Sequence, residues 1–353
     1  MLSAQRLHDP LEGYDPVKRS AEQRSHTAFA HPNIALIKYW GKADVRLNVP
    51  AVPSISITLD ALATTTSVGF DARLETDSIN LNGIELDSDS EQARRISSCL
   101  DQLRARTATT HCARVESLND FPTGAGLASS ASGFAALVVA AAAALDLELA
   151  AEDASRIARA ASASAARSLY GGFAELPAGR PGEDVAAHAL ASVEHWPLEV
   201  VIAICAEGPK LTGSTQGMLD SAATSPFYSA WIETAAADAA TARAAIMECD
   251  FSALAAVAES SCLKMHAIMH TTRPALIYWN AATVATLERI RSLQQAGMEL
   301  FFTMDAGPQV KAVCSPGQGA EVRAALATVP GVHHVLCSGL GGPARVRTQA
   351  TCA

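Results

Sequence analysis

The sequence is short of the features that mark several protein classes. Its eight cysteines, scattered from Cys99 to Cys352, contain no C-x-x-C pair. That pattern resembles the reduced thiols of a cytosolic protein more than a zinc knuckle or a disulfide framework, and no structural disulfide is expected. Positive charge is in deficit, with Lys+Arg 27 against Asp+Glu 36 and a formal net charge of -9. A broad footprint for nucleic acid or anionic membrane is therefore excluded, and an anionic ligand needs a local basic pocket. The first twenty residues carry no apolar core of a signal peptide, and the longest apolar run, within Ala135 to Leu145, is too short to cross a bilayer. These absences predict a soluble cytoplasmic chain with no membrane partner.

What is present is a globular composition, 49% hydrophobic and 18% charged, on 353 residues, long enough for two fused lobes. Residues 1–24 read as a polar extension. Ser54 to Leu59 alternates apolar and hydroxyl residues as a strand does, with Thr64 to Phe70 as its expected partner. Asn82-Gly83 within Ile79 to Leu86 predicts a tight hairpin. The Ser88-Asp89-Ser90-Glu91 spacing predicts a capped helix over 89–106. Further helices are expected at 130–146, 152–166, 228–246, 251–270 and 279–296, and strands at 112–117, 198–205, 299–304, 309–314 and 332–337. The mixture is α+β. The Pro- and Gly-rich stretch 174–188 is the expected passage between lobes.

Four segments carry possible chemistry. Phe121 to Gly133 places Gly124, Gly126, Leu127, Ala128, Ser129, Ser130 and Ser132 at the entry to an Ala-rich helix, where backbone N–H groups, hydroxyls and the helix dipole suit phosphate. No Gly-Lys-Ser/Thr follows, so it is not a Walker loop, and a closely packed helix start explains it equally. Asn33 to Lys42 ends an apolar strand with Lys38, Tyr39, Trp40, Gly41 and Lys42, either two phosphate-binding cations or solvated lysines beside a core tryptophan. Ser162, Ser164 and Arg167 precede Gly171-Gly172, offering two hydroxyls and a planar fork for a carboxylate or phosphate, or an ordinary helix end. Leu300 to Pro308 delivers Asp305 into a tight turn, as a base, a charge stabiliser or a self-bonded turn residue. His266 and His270 share a helix face but lack the glutamate and third ligand of a zinc site. The charges over 71–106, Arg95 excepted, read as solvated surface.

In this order the four segments resemble the mevalonate diphosphate decarboxylases of the GHMP kinase superfamily, from about Thr27 to about Val346. The resemblance implies a two-lobed fold, a ribosomal-protein-S5-domain-2-like lobe over 25–190 and a ferredoxin-like lobe over 191–353, with the active site in the cleft between them. It implies Asp305, Lys38 and Arg167 as catalytic residues. Tyr39, Trp40, Gly41, Lys42, Arg95, Ser162, Ser164, Arg167 and Thr215 would contact substrate, and Asn33 would support the turn. Gly124, Gly126, Leu127, Ala128, Ser129 and Ser130 would bind the phosphates of ATP. Magnesium would arrive with ATP, near Ser129 or Ser130, and a homodimer is implied.

The implied reaction phosphorylates the 3-hydroxyl of (R)-5-diphosphomevalonate and then expels phosphate and CO₂ to leave isopentenyl diphosphate. The chain departs from the family pattern at Val52-Pro53, where Asn-Ser is usual, at Ala163 and Ala166 in place of Gly and Cys, and at Gly213 in place of Ser. These departures leave open a 5-phosphomevalonate decarboxylase. A mevalonate 3-kinase would release ADP without CO₂, and a non-catalytic paralogue would bind ligand without releasing ADP.

Overall fold

The structure, a computed structural model, describes residues 25–121, 129–208 and 212–347. It is α+β. The first sheet has the order β16 (Arg345–Val346), β1 (His26–Ala30), β6 (Thr64–Asp71), β9 (Cys112–Asn119), β7 (Ser78–Leu81), β8 (Ile84–Glu85). One face is covered by α1 (Glu91–Thr107), α2 (Ser129–Ala144) and α3 (Ala151–Ala161), whose Ile96, Leu100, Val138 and Ile157 pack with Val68, Ile79 and Val115. The alanines of α2 let that helix lie close against the sheet, and nearly its whole surface is buried.

A second sheet, β11 (His188–Ala191), β10 (Phe173–Leu176), β5 (Ser54–Thr58), β2 (Asn33–Ile37), carries most of the chemistry, with the small β3 (Lys42–Asp44) and β4 (Val49–Pro50) ribbon beside it. The third sheet is β13 (Leu300–Thr303), β14 (Val310–Cys314), β12 (Glu199–Ile204), β15 (His334–Ser338). It is packed by α5 (Tyr228–Glu248), α6 (Phe251–Thr271), α7 (Ala281–Gln295) and α8 (Gly319–Leu326), while α4 (Ser214–Thr224) lies over α6. Ile34, Ile55, Phe173, Ile202, Ala242 and Phe301 belong to one core that joins the second and third sheets. Arg243 of α5 adds an ion pair at 2.9 Å to Glu175, buried in β10. No described helix is long and apolar enough to cross a membrane.

The hairpin forms as expected, Asn82 and Gly83 both at positive φ, 53° and 84°. Other expectations need correction. The strand over 64–71 pairs with β1 and β9 in the first sheet, whereas β5 pairs with β2 and β10; alternation reports which face is buried, not which strand lies alongside. The first helix is capped at Ser90, whose Oγ accepts from the Ala93 N–H at 3.2 Å, not at Ser88. The stretch 174–188 begins inside β10, so the crossing to the second half follows β11. The helix expected over 152–166 ends at Ala161, because Ser162 is extended (φ -156°, ψ 117°), and resumes as a 3-10 turn over Ala163–Leu169. That break turns Ser162, Ser164 and Arg167 inward.

Candidate active site

A cavity of about 1210 Å³ is walled by the end of β2, the β3–β4 turn, α1, the start of α2, the 3-10 turn, the start of α4 and the turn after β13. Among the described residues its lining contains Lys38, Lys42, Arg46, Arg94, Arg95 and Arg167 but only Asp305 and Glu91 as acids. In a chain of net charge -9 this concentrates positive potential where an anion would enter.

At the floor, Asp305 is gripped by two buried ammonium groups. Lys38 Nζ donates to Asp305 Oδ1 at 2.7 Å and to the Ala35 carbonyl at 2.7 Å. Lys311 Nζ donates to Asp305 Oδ2 at 3.1 Å. Both lysines are almost fully buried, while 32% of the Asp305 side chain faces the cavity. Burial opposes ionisation of Asp305, but Lys311 and Lys38 outweigh it and hold the carboxyl well below the usual carboxylate range. Burial also lowers the proton affinity of Lys38, against the attraction of Asp305. The main-chain N–H of Lys38 is fixed by Ser261 Oγ of α6 at 3.0 Å, so the second half of the chain orients this residue.

Arg167 is buried beside them. Nε donates to Ser56 Oγ at 2.9 Å, one terminal nitrogen to Ser54 Oγ at 2.5 Å and the other to Asn33 Oδ1 at 3.2 Å. Burial lowers its pKa to about 10, against Asp305 and Tyr39, so it remains cationic at neutral pH. The amide of Asn33 in turn donates to the Ser164 carbonyl and Ser168 Oγ. The alternating serines of β5 thus hold a guanidinium, a role that their periodicity alone does not reveal. Tyr39 lines the same cavity, and its buried hydroxyl has no hydrogen-bond partner among the described residues. Burial raises the Tyr39 pKa, so the group is a neutral phenol awaiting an acceptor or donor.

Toward the rim, Lys42 Nζ donates to Asn48 Oδ1 at 2.5 Å and Thr215 Oγ1 at 3.1 Å, and burial with nearby Arg95 lowers its pKa to about 8. Arg95 donates to the Ala161 carbonyl at 2.8 Å over the Phe134 ring. Ser162 and Ser164 hydroxyls stand 3.2 Å apart, and Ser129 and Ser130 line the cavity at the start of α2. Ser132 faces away, bonded to Thr64 Oγ1 at 2.6 Å.

Trp40 and Gly41 have packing roles as well. Trp40 borders the cavity but is a core residue, its indole N–H donating to Ser221 Oγ and its carbonyl accepting from Trp231. Gly41 does not line the cavity; at φ 129° it lies under the Tyr228 hydroxyl, where a side chain would collide. Gly124, Gly126, Leu127 and Ala128 lie outside the described residues.

Lys311, Arg46 and Arg94 were not singled out by the sequence. For Lys311 a signal exists, a lysine inside the otherwise apolar Val310–Cys314 strand, where an unpaired charge is costly. Val52 sits in the core against Trp40, so the Val52-Pro53 departure does not place Val52 at the anion site. His266 accepts from the Trp279 indole at 3.0 Å, and burial lowers its pKa to about 3; it is a neutral buried residue outside the cavity lining. Among the described residues no three His, Cys, Asp or Glu side chains form a metal cluster. The cationic lining suits a phosphate chain, with the Ser129 and Ser130 hydroxyls in the same wall.

Comparison with known proteins places the chain in a family. Residues 30–187 match the family model of the diphosphomevalonate decarboxylase-like N-terminal domain, and residues 200–333 that of the mevalonate 5-diphosphate decarboxylase C-terminal domain. The diphosphomevalonate decarboxylase of Ganoderma lucidum is 37% identical over 309 residues, 80% of this chain and 76% of the relative. The Homo sapiens enzyme of that name is 36% identical, covering 80% and 74%. The crystal structure of mevalonate diphosphate decarboxylase from Staphylococcus aureus superposes with a TM-score of 0.87 at 36% identity, over 92% of this chain and 98% of that one. MDDEF in complex with MVAPP, AMPPCP and magnesium gives 0.85 at 35% identity, over 92% and 99%.

Proposed function

Because this chain belongs to the diphosphomevalonate decarboxylase family, we propose that its cavity carries out the ATP-dependent decarboxylation of (R)-5-diphosphomevalonate, giving isopentenyl diphosphate, ADP, phosphate and CO₂. ATP is the co-substrate, and magnesium balances its phosphate charge. The observation that carries the reading is the convergence of Asp305, Lys38 and Arg167 on one anion-attracting cavity. Among the described residues the two lobes divide at the crossing after β11, and β16 returns to the sheet of the N-terminal lobe.

Asp305 is too weak a base to take a proton from a tertiary alcohol unaided, since two ammonium groups stabilise its charge. It orients the 3-hydroxyl by accepting its hydrogen bond. The hydroxyl oxygen attacks the γ-phosphorus, the bond to the β-phosphate oxygen breaks, ADP leaves carrying that electron pair, and the hydroxyl proton passes to solvent as the new ester forms. The carbon–oxygen bond to the 3-phosphate then breaks. Positive charge builds at C3 beside the Asp305 carboxylate, and the electron pair of the C1–C2 bond becomes the C2–C3 double bond as CO₂ departs. Arg167, its guanidinium plane fixed by Ser54, Ser56 and Asn33, holds the C1 carboxylate in line. Tyr39, Ser162 and Ser164 complete the contacts around the mevalonyl unit, and Lys42, Arg95 and Thr215 receive the 5-diphosphate. Gly124, Gly126, Leu127, Ala128, Ser129 and Ser130 are the proposed ATP loop.

The deciding experiment supplies purified protein with ATP, Mg²⁺ and, separately, mevalonate, its 5-phosphate and its 5-diphosphate, measuring ADP and CO₂ together. Equimolar ADP and CO₂ from the diphosphate alone is the expected result, and ADP without CO₂ would refute the decarboxylase assignment.

Two residue-level outcomes follow. Tyr39→Phe removes a buried hydroxyl that has no described partner, so stability should change by less than about 0.5 kcal/mol while KM for the diphosphate rises about tenfold, one hydrogen bond's worth. Chemical denaturation beside steady-state kinetics checks both halves. Lys42 is cationic below its depressed pKa of about 8 and neutral above it, so kcat/KM should fall as pH rises through about 8. Bound diphosphate holds the proton on Lys42, so kcat at saturation should stay flat there, and Lys42→Arg should move the kcat/KM limb to higher pH.

A further inference from the structure

The second ammonium on Asp305 weakens that carboxylate as a base but touches no reacting group in the reaction as derived above. Lys311 is the second residue of β14, opposite Ile202 of β12 and Thr303 of β13. On this strand Val310, Ala312 and Cys314 fill one core, while Val313, on the Lys311 face, fills another. Position 311 is thus one at which the sheet calls for an apolar side chain. A lysine there is costly unless its charge is met. It does not line the cavity, and its one hydrogen-bond acceptor among the described residues is Asp305 Oδ2.

The groups around the carboxylate make this excess of cations explicit. Lys38 comes from the end of β2, Lys311 from β14 and Arg167 from the 3-10 turn, with neutral Cys262 and His266 on α6. Three cations face one carboxylate, and they repel one another. For stability alone, a single lysine would neutralise the aspartate. With only Lys38 attached, however, the carboxylate could turn about its Cβ–Cγ bond, and the charge most needed when C3 becomes electron-poor would be free to swing away. Two donors on opposite oxygens fix that plane.

We propose that Lys311 is a positioning residue for the reaction: it holds Oδ2 of Asp305 from behind the cavity, so that the carboxylate plane and its negative charge stay directed at the reacting carbon through both chemical steps. The role rests on the decarboxylase reading above. It separates binding from chemistry, because Lys311 touches the carboxylate and not the ligand.

The test uses the full chain with Lys311→Met, which keeps the apolar stem, and Lys311→Gln, which keeps a donor without the charge and serves if the methionine variant does not fold. Val313→Ala, a core truncation on the same face of β14, is the control for packing loss. Substrate affinity is measured by calorimetry with 5-diphosphomevalonate, and turnover by ADP and CO₂ release across pH 4 to 9. The expected result is affinity within threefold of the parent and turnover down by thirtyfold or more. Without Lys311 the carboxyl binds its proton more tightly, so the acidic limb of kcat should move upward by at least one pH unit. Lys311→Arg should restore turnover to within tenfold of the parent, and Val313→Ala should leave the split and the limb unchanged. Turnover within threefold of the parent, an equal loss in affinity and turnover, or an unmoved limb would overturn the proposal. A parent protein that releases neither ADP nor CO₂ would instead defeat the decarboxylase reading, so the two failures are distinct.

Discussion

Asp305→Asn is expected to lower turnover by at least about 10³-fold, the combined scale of losing an orienting acceptor and a charge set against a developing cation. The same change should weaken the fold, because the ammonium groups of Lys38 and Lys311 would remain buried with no anion between them. Breaking a buried pair typically costs about 3–5 kcal/mol, and the access of Asp305 to the water-filled cavity reduces this to about 2–3 kcal/mol. Single-turnover ADP release and urea unfolding read the two effects separately. Near-normal turnover in a folded Asp305→Asn protein would remove Asp305 from the mechanism.

Arg167→Lys is expected to be nearly as damaging despite preserving the charge. A lysine has no planar fork, so one ammonium cannot serve Ser54, Ser56 and Asn33 together and still present an aligned face to a carboxylate. Misalignment of the reacting groups should cut kcat/KM by about 10²–10³-fold. The serine hydroxyls left without donors should cost about 1–3 kcal/mol of stability, visible by calorimetry. Full activity in this variant would show that position 167 needs only a positive charge.

The candidate site was legible where its chemistry is carried by unusual residues at strand and helix ends. Asp305, Lys38, Arg167 and Lys42 line one cavity; Arg95 and Thr215, which only the family resemblance pointed to, line it too. The partners of those groups were not legible. Ser54 and Ser56 looked like the polar half of a strand, yet they face a buried guanidinium, and alternation reports two faces without saying which is wet. Lys311 is invisible to periodicity because it occupies an apolar position; only the apparent error in the pattern marks it. Arg46 and Arg94 resemble the solvated charges around them and gain significance from the cavity that they line. In the fold, long helices such as α5 and α6 declare themselves by length. The two-residue β16 pairs with β1 from the far end of the chain, a contact that no local pattern encodes.

The core joining the second and third sheets has a consequence for how the enzyme fails. Lys38 and Arg167 come from one half, Asp305 and Lys311 from the other, and the apolar layer between them is common property. A lesion deep in either half is therefore felt by both. Melting should proceed as one all-or-none event, in which the reacting groups are lost together and no half-active remnant persists.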